Sequence, residues 1–276
     1  MGRRDEPLAA YVGEQARRIL AGVPRLPDAE AVHRTRVATR RLRSTLRVFA
    51  PLLELAPADV AWADEELRWF AGLLGAVRDR QVQRARFATA LGELPPEQVL
   101  GSVAARIEGT LYAEQVQAQE EIAKAIGSPR YDALCTVLEA WRVDPPGADS
   151  DPRALRKRAR KAAEKAERRL VAACASGADV ELHRARKAAK RARYAGELLR
   201  PLGHGKSQRK RFKVVQVLLG DFQDAVVAEA TLRRLVSGVP AGESGFTFGL
   251  LHAHERAEAE RLRGLVCGRG GVPGQL

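Results

Sequence analysis

The chain has 276 residues, and its 47 lysines and arginines outnumber its 34 aspartates and glutamates, giving a formal net charge of +13. A hydrophobic share of 45% excludes a disordered chain, and no apolar run approaches the roughly 18 residues of a transmembrane helix. Charges precede any apolar core at the N-terminus, which argues against a secretory signal, and 3 widely spaced cysteines favour a reducing compartment over a disulfide framework. We therefore expect a basic cytoplasmic protein with no membrane association.

Apolar residues recur at spacings of three and four along almost the whole chain, which predicts an all-α fold. Asp28 and Asp179 are the predicted N-caps of two helices. The segment 143–151, rich in proline and aspartate, is a predicted linker between two helical repeats of one domain, at about 1–142 and 152–276, and 267–276 is predicted to be a flexible tail. The predicted helices are 7–22, 28–53, 58–91, 96–126, 129–142, 152–175, 179–200, 206–237 and 244–266.

Two motifs occur twice in the same order, which indicates a duplicated helical unit. The run VHRTRVATRRLRSTLRVF is similar to LHRARKAAKRARYAGELL, and His33 matches His183 at an offset of 150 residues. Downstream, LLGAVRDRQV at 73–82 matches LLGDFQDAVV at 218–227 at an offset of 145 residues. Because both motifs recur, chance identity between Ala- and Arg-rich helices is a poor explanation of the first.

The positive charge is concentrated in one stretch of the second half. Residues 153–213 hold 21 lysines and arginines against 5 aspartates and glutamates, a net of +16, whereas the remainder of the chain carries −3. Such asymmetry points to a polyanionic partner, which could be nucleic acid, an anionic membrane surface or an inorganic polymer of phosphate. A single charged run is usually a solvated helix face, but these cations are ordered by helical phase.

Each copy of the first motif carries a stripe of cations on one helix face. At about 100° per residue, the first stripe falls within an arc of roughly 80° along about 21 Å of helix. Like charges one turn apart destabilise a helix unless an anion lies along them, and arginine binds phosphate oxygens in pairs without losing its charge. The first stripe consists of His33, Arg36, Arg40, Arg43 and Arg47. The second stripe consists of His183, Arg186, Lys190 and Arg193.

The second stripe differs from the first at its fourth turn, where Glu197 takes the position of Arg47. This copy is therefore less basic there, or Glu197 pairs with a nearby arginine. Asp79 and Asp224 follow a Leu-Gly pair in each copy, and we expect each to orient a stripe arginine, with an exposed helical aspartate as the alternative. Further cations at similar phases extend the candidate surface, and these are Arg68, Arg153, Arg156, Arg160, Lys206, Arg209 and Lys213.

The sequence shows no catalytic or metal-binding constellation. GHGKS at 203–207 lacks the first glycine and the preceding strand of a phosphate-binding P-loop. His252 and His254 project to different sides of a helix, and H-E-x-x-H, a His-Asp dipeptide and E-x-E-x-K are all missing. We therefore expect no metal, no cofactor and no enzymatic activity.

The pattern H-x-x-R-[hydrophobic]-x-x-[RK]-[RK]-x-R, followed in each half by L-G-x-x-x-D, resembles the CHAD family (conserved histidine α-helical domain) over nearly the whole chain. The resemblance implies two four-helix bundles related by a pseudo-twofold axis, with the basic residues of both repeats lining a central groove or pore. It leaves one short helix, 129–142, as a bridge between the repeats. Lys187 departs from the pattern, because the family favours a hydrophobic residue there, as Val37 is in the first copy.

The resemblance also implies a function, which is non-enzymatic binding of inorganic polyphosphate and an association with polyphosphate granules and with polyphosphate-metabolising enzymes. A basic helical protein that binds nucleic acid is the alternative, but aromatic residues make up only 5% of the chain, so stacking on bases is poorly served. Nucleic acid is then expected to be the weaker competitor. An enzyme acting on polyphosphate or nucleotides and a purely structural scaffold remain as further alternatives.

Overall fold

The computed structural model describes residues 6–240 and 244–268. The described chain is all-helical and contains no strand, as predicted, and short 3-10 turns follow α1, α2 and α7 and precede α4. The predicted 96–126 helix is shorter, because a 3-10 turn occupies Pro96–Gln98. The helices are α1 (Pro7–Gly22), α2 (Ala29–Phe49), α3 (Pro57–Gly92), α4 (Val103–Ile126), α5 (Pro129–Val143), α6 (Pro152–Ser176), α7 (Asp179–Leu198), α8 (Lys206–Val236) and α9 (Phe246–Cys267).

Local chemistry explains where these helices begin and end. Proline occupies the first helical position of α1, α3, α5 and α6, where its missing N–H would have no partner anyway. The carboxylate of Asp28 accepts a hydrogen bond from the backbone N–H of Ala31 at 2.8 Å, which confirms the first predicted N-cap. The second predicted N-cap is wrong. Ala178 caps α7, and the Asp179 carboxylate lies instead 2.5 Å from a guanidinium nitrogen of Arg263 on α9.

The helices pack as two groups that contact each other. In the first half α1 packs on α2 and α5, and α3 packs on α2 and α4, while in the second half α6 to α9 pack each on the next. α2 lies against α7 and joins the halves at the centre. A separate cluster joins the C-terminal parts of α3 and α8 to α4 and α9 through Phe87, Leu111, Leu232 and Phe248.

Helix α5 packs mainly on α1. Its residues Tyr131, Leu134, Leu138 and Trp141 are buried in a core that α1, α2 and α3 share with residues of α6 and α7. The role of α5 as a bridge between the repeats stays a prediction. The pseudo-twofold symmetry of the whole molecule and the limits of the two repeats stay predictions.

The segment 144–151 between α5 and α6 packs closely against the first half. Gly147 has a φ of 91°, and a Cβ at this position would come within 2.7 Å of a Leu8 methyl carbon. The buried Ser150 hydroxyl donates to the carbonyl of Gly147 at 2.7 Å and lies 3.1 Å from the carbonyl of Leu52. These contacts fix where α6 starts relative to α1 and α2.

The prediction that all three cysteines stay reduced is wrong for one pair. Cys174 near the end of α6 and Cys267 at the end of α9 form a disulfide with a Cα–Cα distance of 5.3 Å, and Cys135 is free. The two residues are 93 positions apart, and only the packing of α6 beside α9 brings them together. Cys267 is therefore helical and not part of a flexible tail, while residues 269–276 lie outside the described chain.

Across the described ranges, each helix is either too short or too polar to cross a lipid bilayer.

Candidate functional site

In the first half, a stripe arginine lies across a glycine of the next helix. A Cβ placed on Gly75 of α3 would lie 3.4 Å from Nε of Arg36, so the absence of a side chain leaves room for the guanidinium. Arg36 then reaches one turn further along α3, where its Nη2 lies 3.3 Å from Oδ1 of Asp79. The glycine and the aspartate of the L-G-x-x-x-D motif therefore hold one arginine between them.

The second half repeats this arrangement. A Cβ on Gly220 of α8 would lie 3.5 Å from Nη2 of Arg186, and the same nitrogen is 3.9 Å from Oδ1 of Asp224. The prediction that each aspartate orients a stripe arginine is thus confirmed in both copies. The pKa of Asp224 is raised, because the effect of burial exceeds the opposing effect of the Arg186 charge.

The centres of the two stripes face each other where α2 packs on α7. Arg40 and Lys190 occupy equivalent positions, 150 residues apart, and neither forms an ion pair within the described chain. Burial, together with the nearby charges of Arg40, Arg186 and Arg36, lowers the pKa of Lys190 to about 6. Burial also lowers the pKa of Arg40. The two stripes therefore bring together Arg36, Arg40, Arg186 and Lys190 from both halves, and the nearby carboxylates include Asp79, Asp224 and Asp221.

The outer end of the first stripe is partly neutralised. Nε of Arg43 and Nη2 of Arg47 lie 3.0 and 2.5 Å from the carboxylate oxygens of Asp64 on α3. Arg68, also on α3, pairs with Glu65, and its charge lies close enough to Arg43 to lower the pKa of that guanidinium after the larger effect of burial.

In the second stripe, Arg193 has a neutral partner. Its Nη1 donates to Oε1 of Gln216 at 3.0 Å, and its guanidinium carbon lies 5.5 Å from the ring centroid of Tyr194. We call the facing residues the paired stripes, and these are Arg36, Arg40, Arg43, Arg186, Lys190 and Arg193.

The two histidines occupy matching positions but have different partners. His183 is half-buried, and its Nδ1 lies 2.8 Å from Oε1 of Gln223. His33 is more exposed and lies near Arg78, which stands where the second copy has Gln223. Burial is the main cause that lowers the pKa of both imidazoles. Both histidines are therefore neutral at pH 7 and would act there as hydrogen-bonding groups.

The remaining predicted cations lie on other surfaces. On α6, Nη1 of Arg156 is 3.1 Å from Nε2 of His204, and Nε of Arg160 is 3.5 Å from the carboxylate of Glu164, both on exposed surface. Arg153, Lys206 and Lys213 are exposed and Arg209 is half-buried. No contact of the described residues joins these six cations to the paired stripes.

Glu197, which takes the position of Arg47 in the second copy, has an arginine partner, as one of the two alternatives predicted. Its Oε1 lies 2.8 Å from Nη2 of Arg41 on α2. Arg191 is the residue of the second copy that matches Arg41, and its charge lies near that of Arg47. Two cations are therefore neighbours at the position that matches the Arg41–Glu197 ion pair. Burial and the charge of Arg47 lower the pKa of Arg191.

A cleft opens beside this arginine pair, and sequence analysis identified only Arg47 among its cationic residues as a site residue. The cleft has a volume of about 470 Å³, and we call it the α6 cleft. Its walls come from α2, α6 and α7, and consist of Arg47, Val48, Arg158, Lys161, Ala162, Lys165, Ala188 and Arg191. The row Arg158, Lys161 and Lys165 has the same spacing as the predicted row 153, 156 and 160, so only the packing of α6 shows which row faces α7.

The described residues contain no group of three or more histidine, cysteine or acidic side chains placed to hold a metal ion. Nε2 of His252 accepts a hydrogen bond from Nε of Arg233 at 3.0 Å and lies 3.2 Å from Oε1 of Glu229, so the ring of this α9 residue packs beside the Arg233–Glu229 ion pair of α8.

A family model described as the CHAD domain matches residues 10–233. The chain belongs to the CHAD domain family. This CHAD domain is 34% identical over 269 residues to uncharacterized proteins from two strains of Mycobacterium tuberculosis, CDC 1551 and H37Rv, and the match covers 94% of the chain and 51% of each relative. The chain thus spans about half the length of the curated relatives it matches.

Two solved structures share the fold of this CHAD domain. PptA from Streptomyces chartreusis superposes with a TM-score of 0.79 at 22% identity, covering 96% of this chain and 98% of that one. The crystal structure of the CHAD domain from the plant Ricinus communis superposes with a TM-score of 0.69 at 26% identity, covering 99% and 92% of the two chains. The sequence-based assignment to the family is confirmed.

Proposed function

We propose that this CHAD domain binds linear inorganic polyphosphate along the paired stripes and performs no chemistry on it. The observation that carries the proposal is the meeting of Arg40 and Lys190 at the centre of the molecule without an ion-pair partner among the described residues. Burying like charges together costs free energy unless an anion neutralises them. A phosphate chain carries about one negative charge per unit and can lie between both stripes.

The surroundings of Tyr194 favour an inorganic chain over nucleic acid. Tyr194 is 6% exposed, and the guanidinium carbons of Arg41 and Arg193 lie 5.7 and 5.5 Å from its ring centroid. The aromatic ring nearest the paired stripes is therefore covered by arginines and offers no face on which a base could stack. Polyphosphate is expected to displace DNA or RNA, and the reverse displacement is expected to fail at equal phosphate concentration.

The double variant Arg36→Ala with Arg40→Ala tests the proposal. Asp79, the partner of Arg36, has a side chain 55% exposed, and Arg40 has no ion-pair partner in the described chain, so the change strands no buried carboxylate and the helices should persist. Isothermal titration at low salt is expected to show an affinity for polyphosphate at least about tenfold weaker than that of the unmodified chain.

A matched control keeps the loss of charge constant. Arg34 and Arg184 occupy equivalent positions on α2 and α7 but lie exposed outside the paired stripes, each paired with a glutamate of its own helix. Replacing both with alanine should leave the affinity within about twofold. Unfolding of the double variant at 36 and 40 would show that the stripe is a structural ion-pair network and would end the proposal.

The proposal also covers the location of the protein in the cell and its lack of enzymatic activity. We place the protein in the cytoplasm at polyphosphate granules, beside polyphosphate-metabolising enzymes. Incubation of the purified chain with polyphosphate and Mg²⁺ or Mn²⁺ is expected to release no orthophosphate, and steady release would favour an enzyme instead.

A further inference from the structure

Most of the cations that line the α6 cleft have no acidic partner among the described residues. Five of its lining residues are cations, and one of them, Arg47, is held by Asp64. The other four make no ion pair or hydrogen bond within the described part of the chain, and these are Arg158, Lys161, Lys165 and Arg191. Such a cluster on one small surface favours an anion with several charges.

In a cleft of the first half, between α1 and α2, most of the arginines pair with carboxylates. This cleft has a similar volume of about 480 Å³ and is also rich in arginine. Arg17 and Arg18 both pair with Glu14, at 2.8 and 2.6 Å, and Arg41 pairs with Glu197 at 2.8 Å. The first-half cleft therefore has carboxylates beside most of its arginines, whereas no acidic residue of the described chain lines the α6 cleft.

Lys187 connects the α6 cleft with the paired stripes. Its side chain is exposed, and besides partial burial the nearby charges of Arg191, Arg43 and Arg47 lower the pKa of its ammonium group. The first copy has Val37 at this position, so the row of cations continues past the stripes only in the second half. This accounts for the residue at which the chain departs from the family pattern.

We propose that the α6 cleft is a second phosphate-binding segment, continuous with the paired stripes through Lys187. A long polyphosphate chain occupies the cleft and the stripes together, whereas a short chain bound at the stripes does not extend into the cleft. The inference rests on the proposed function and deepens it. It predicts that the protein prefers long polyphosphate and that the polyphosphate extends from the paired stripes toward the α6 cleft. Each additional phosphate that a cation neutralises releases counterions and so adds affinity that falls with salt.

The test compares tripolyphosphate with long-chain polyphosphate on the full chain. The variant R158A/K161A/K165A removes three cations from the cleft and keeps helix-forming residues in α6. We expect its affinity for long chains to fall at least about tenfold at low salt and the slope of log affinity against log salt to become shallower by roughly 2 to 3. Its affinity for tripolyphosphate should stay within about twofold, since that ligand is held at the paired stripes.

Two further variants separate the cleft from general electrostatics. R17A/R18A/R25A removes the same charge from the cleft of the first half and is expected to leave both affinities within about twofold. K187V installs the residue of the first copy and is expected to weaken long-chain binding alone. Circular dichroism verifies that all three variants keep their helices.

The outcomes that overturn the inference differ from the one that overturns the proposed function. Equal losses for both ligands, an unchanged affinity for long chains, or equal losses in the first-half variant would each refute the second segment while polyphosphate binding stands. Failure of the unmodified chain to bind either ligand would refute the proposed function and this inference together.

Discussion

The carboxylate of Glu255 on α9 is 1% exposed, and Arg86 of α3 reaches it with Nε at 2.7 Å from Oε1 and Nη2 at 2.5 Å from Oε2. This ion pair crosses between the two halves of the chain, 169 residues apart. The carboxylate of this ion pair is fully buried, whereas the aspartates that pair with the stripe arginines are partly exposed.

Replacing Arg86 with alanine should destabilise the protein strongly. The change leaves the Glu255 carboxylate buried without a partner, and we expect the free energy of unfolding to fall by about 3 kcal/mol. Urea unfolding followed by circular dichroism measures it. Arg142→Ala, which breaks an exposed pair with Glu139 one turn away, is the control and should change stability by less than about 0.5 kcal/mol.

Lys190 should make stability depend on pH. Its pKa is about 6 in the folded chain against 10.5 for an ordinary lysine, so the unfolded chain binds more protons between these values and stability rises with pH across that window. Lys190→Met removes the cost, and the variant should be more stable than the unmodified chain at pH 7 by on the order of 1–3 kcal/mol. The gain should shrink toward pH 10. If the gain in stability did not change with pH, it would come from the packing of methionine and not from the removal of the Lys190 charge.

The same residue should couple binding to proton uptake. A polyanion beside Lys190 favours the charged ammonium, so binding at a pH above 6 should draw a proton from the buffer. Titrations in buffers of different ionisation enthalpy should then give different apparent heats, and Lys190→Met should abolish the difference. Identical heats in all buffers for the unmodified chain would show that Lys190 is already charged or stays neutral when the anion binds.

The glycine of each L-G-x-x-x-D motif should tolerate a methyl group but not a larger side chain. The Cβ of Gly75→Ala would sit at 3.4 Å from Arg36, and alanine should stabilise the helix by about 0.5–1 kcal/mol. Gly75→Leu would displace the guanidinium from Asp79 and weaken polyphosphate binding, as Gly220→Leu would in the second half. A Cβ on Gly72 of the same helix has no atom within 4 Å, so Gly72→Leu is the control and should bind normally.

Reduction of the Cys174–Cys267 disulfide should lower stability by about 2–4 kcal/mol, because the bond closes a long loop of chain. Thermal unfolding with and without reductant measures the effect. In a Cys174→Ala variant the reductant should change nothing. A full response in that variant would point to Cys135 or to a non-specific effect.

The fold and the core of the site were predictable because both depend on local periodicity. Apolar spacing and prolines placed most helix ends to within about four residues, with the start of α4 as the exception, and the recurrence of His33 and His183 with Asp79 and Asp224 identified the stripes. The ion pairs of Arg36 and Arg186 follow from the same motifs. The Asp179 cap was wrong because α7 begins at that residue, and its carboxylate pairs instead with Arg263. Periodicity also did not show that Arg158, Lys161 and Lys165 line a cleft, since it gives the spacing of a helix face but not the neighbour of that face.

The sequence alone determined that this chain is all-helical, duplicated and striped with cations, since each of these properties lies within one helix or one repeated motif. Only the tertiary structure decided that Arg40 meets Lys190, that Glu197 neutralises Arg41 while Arg191 faces Arg47, and that Cys174 reaches Cys267. These contacts join residues far apart in the chain, and the packing of α2 on α7 and of α6 beside α9 fixes them. The sequence therefore gives the net charge, whereas the packing of the helices decides which cations have an acidic partner.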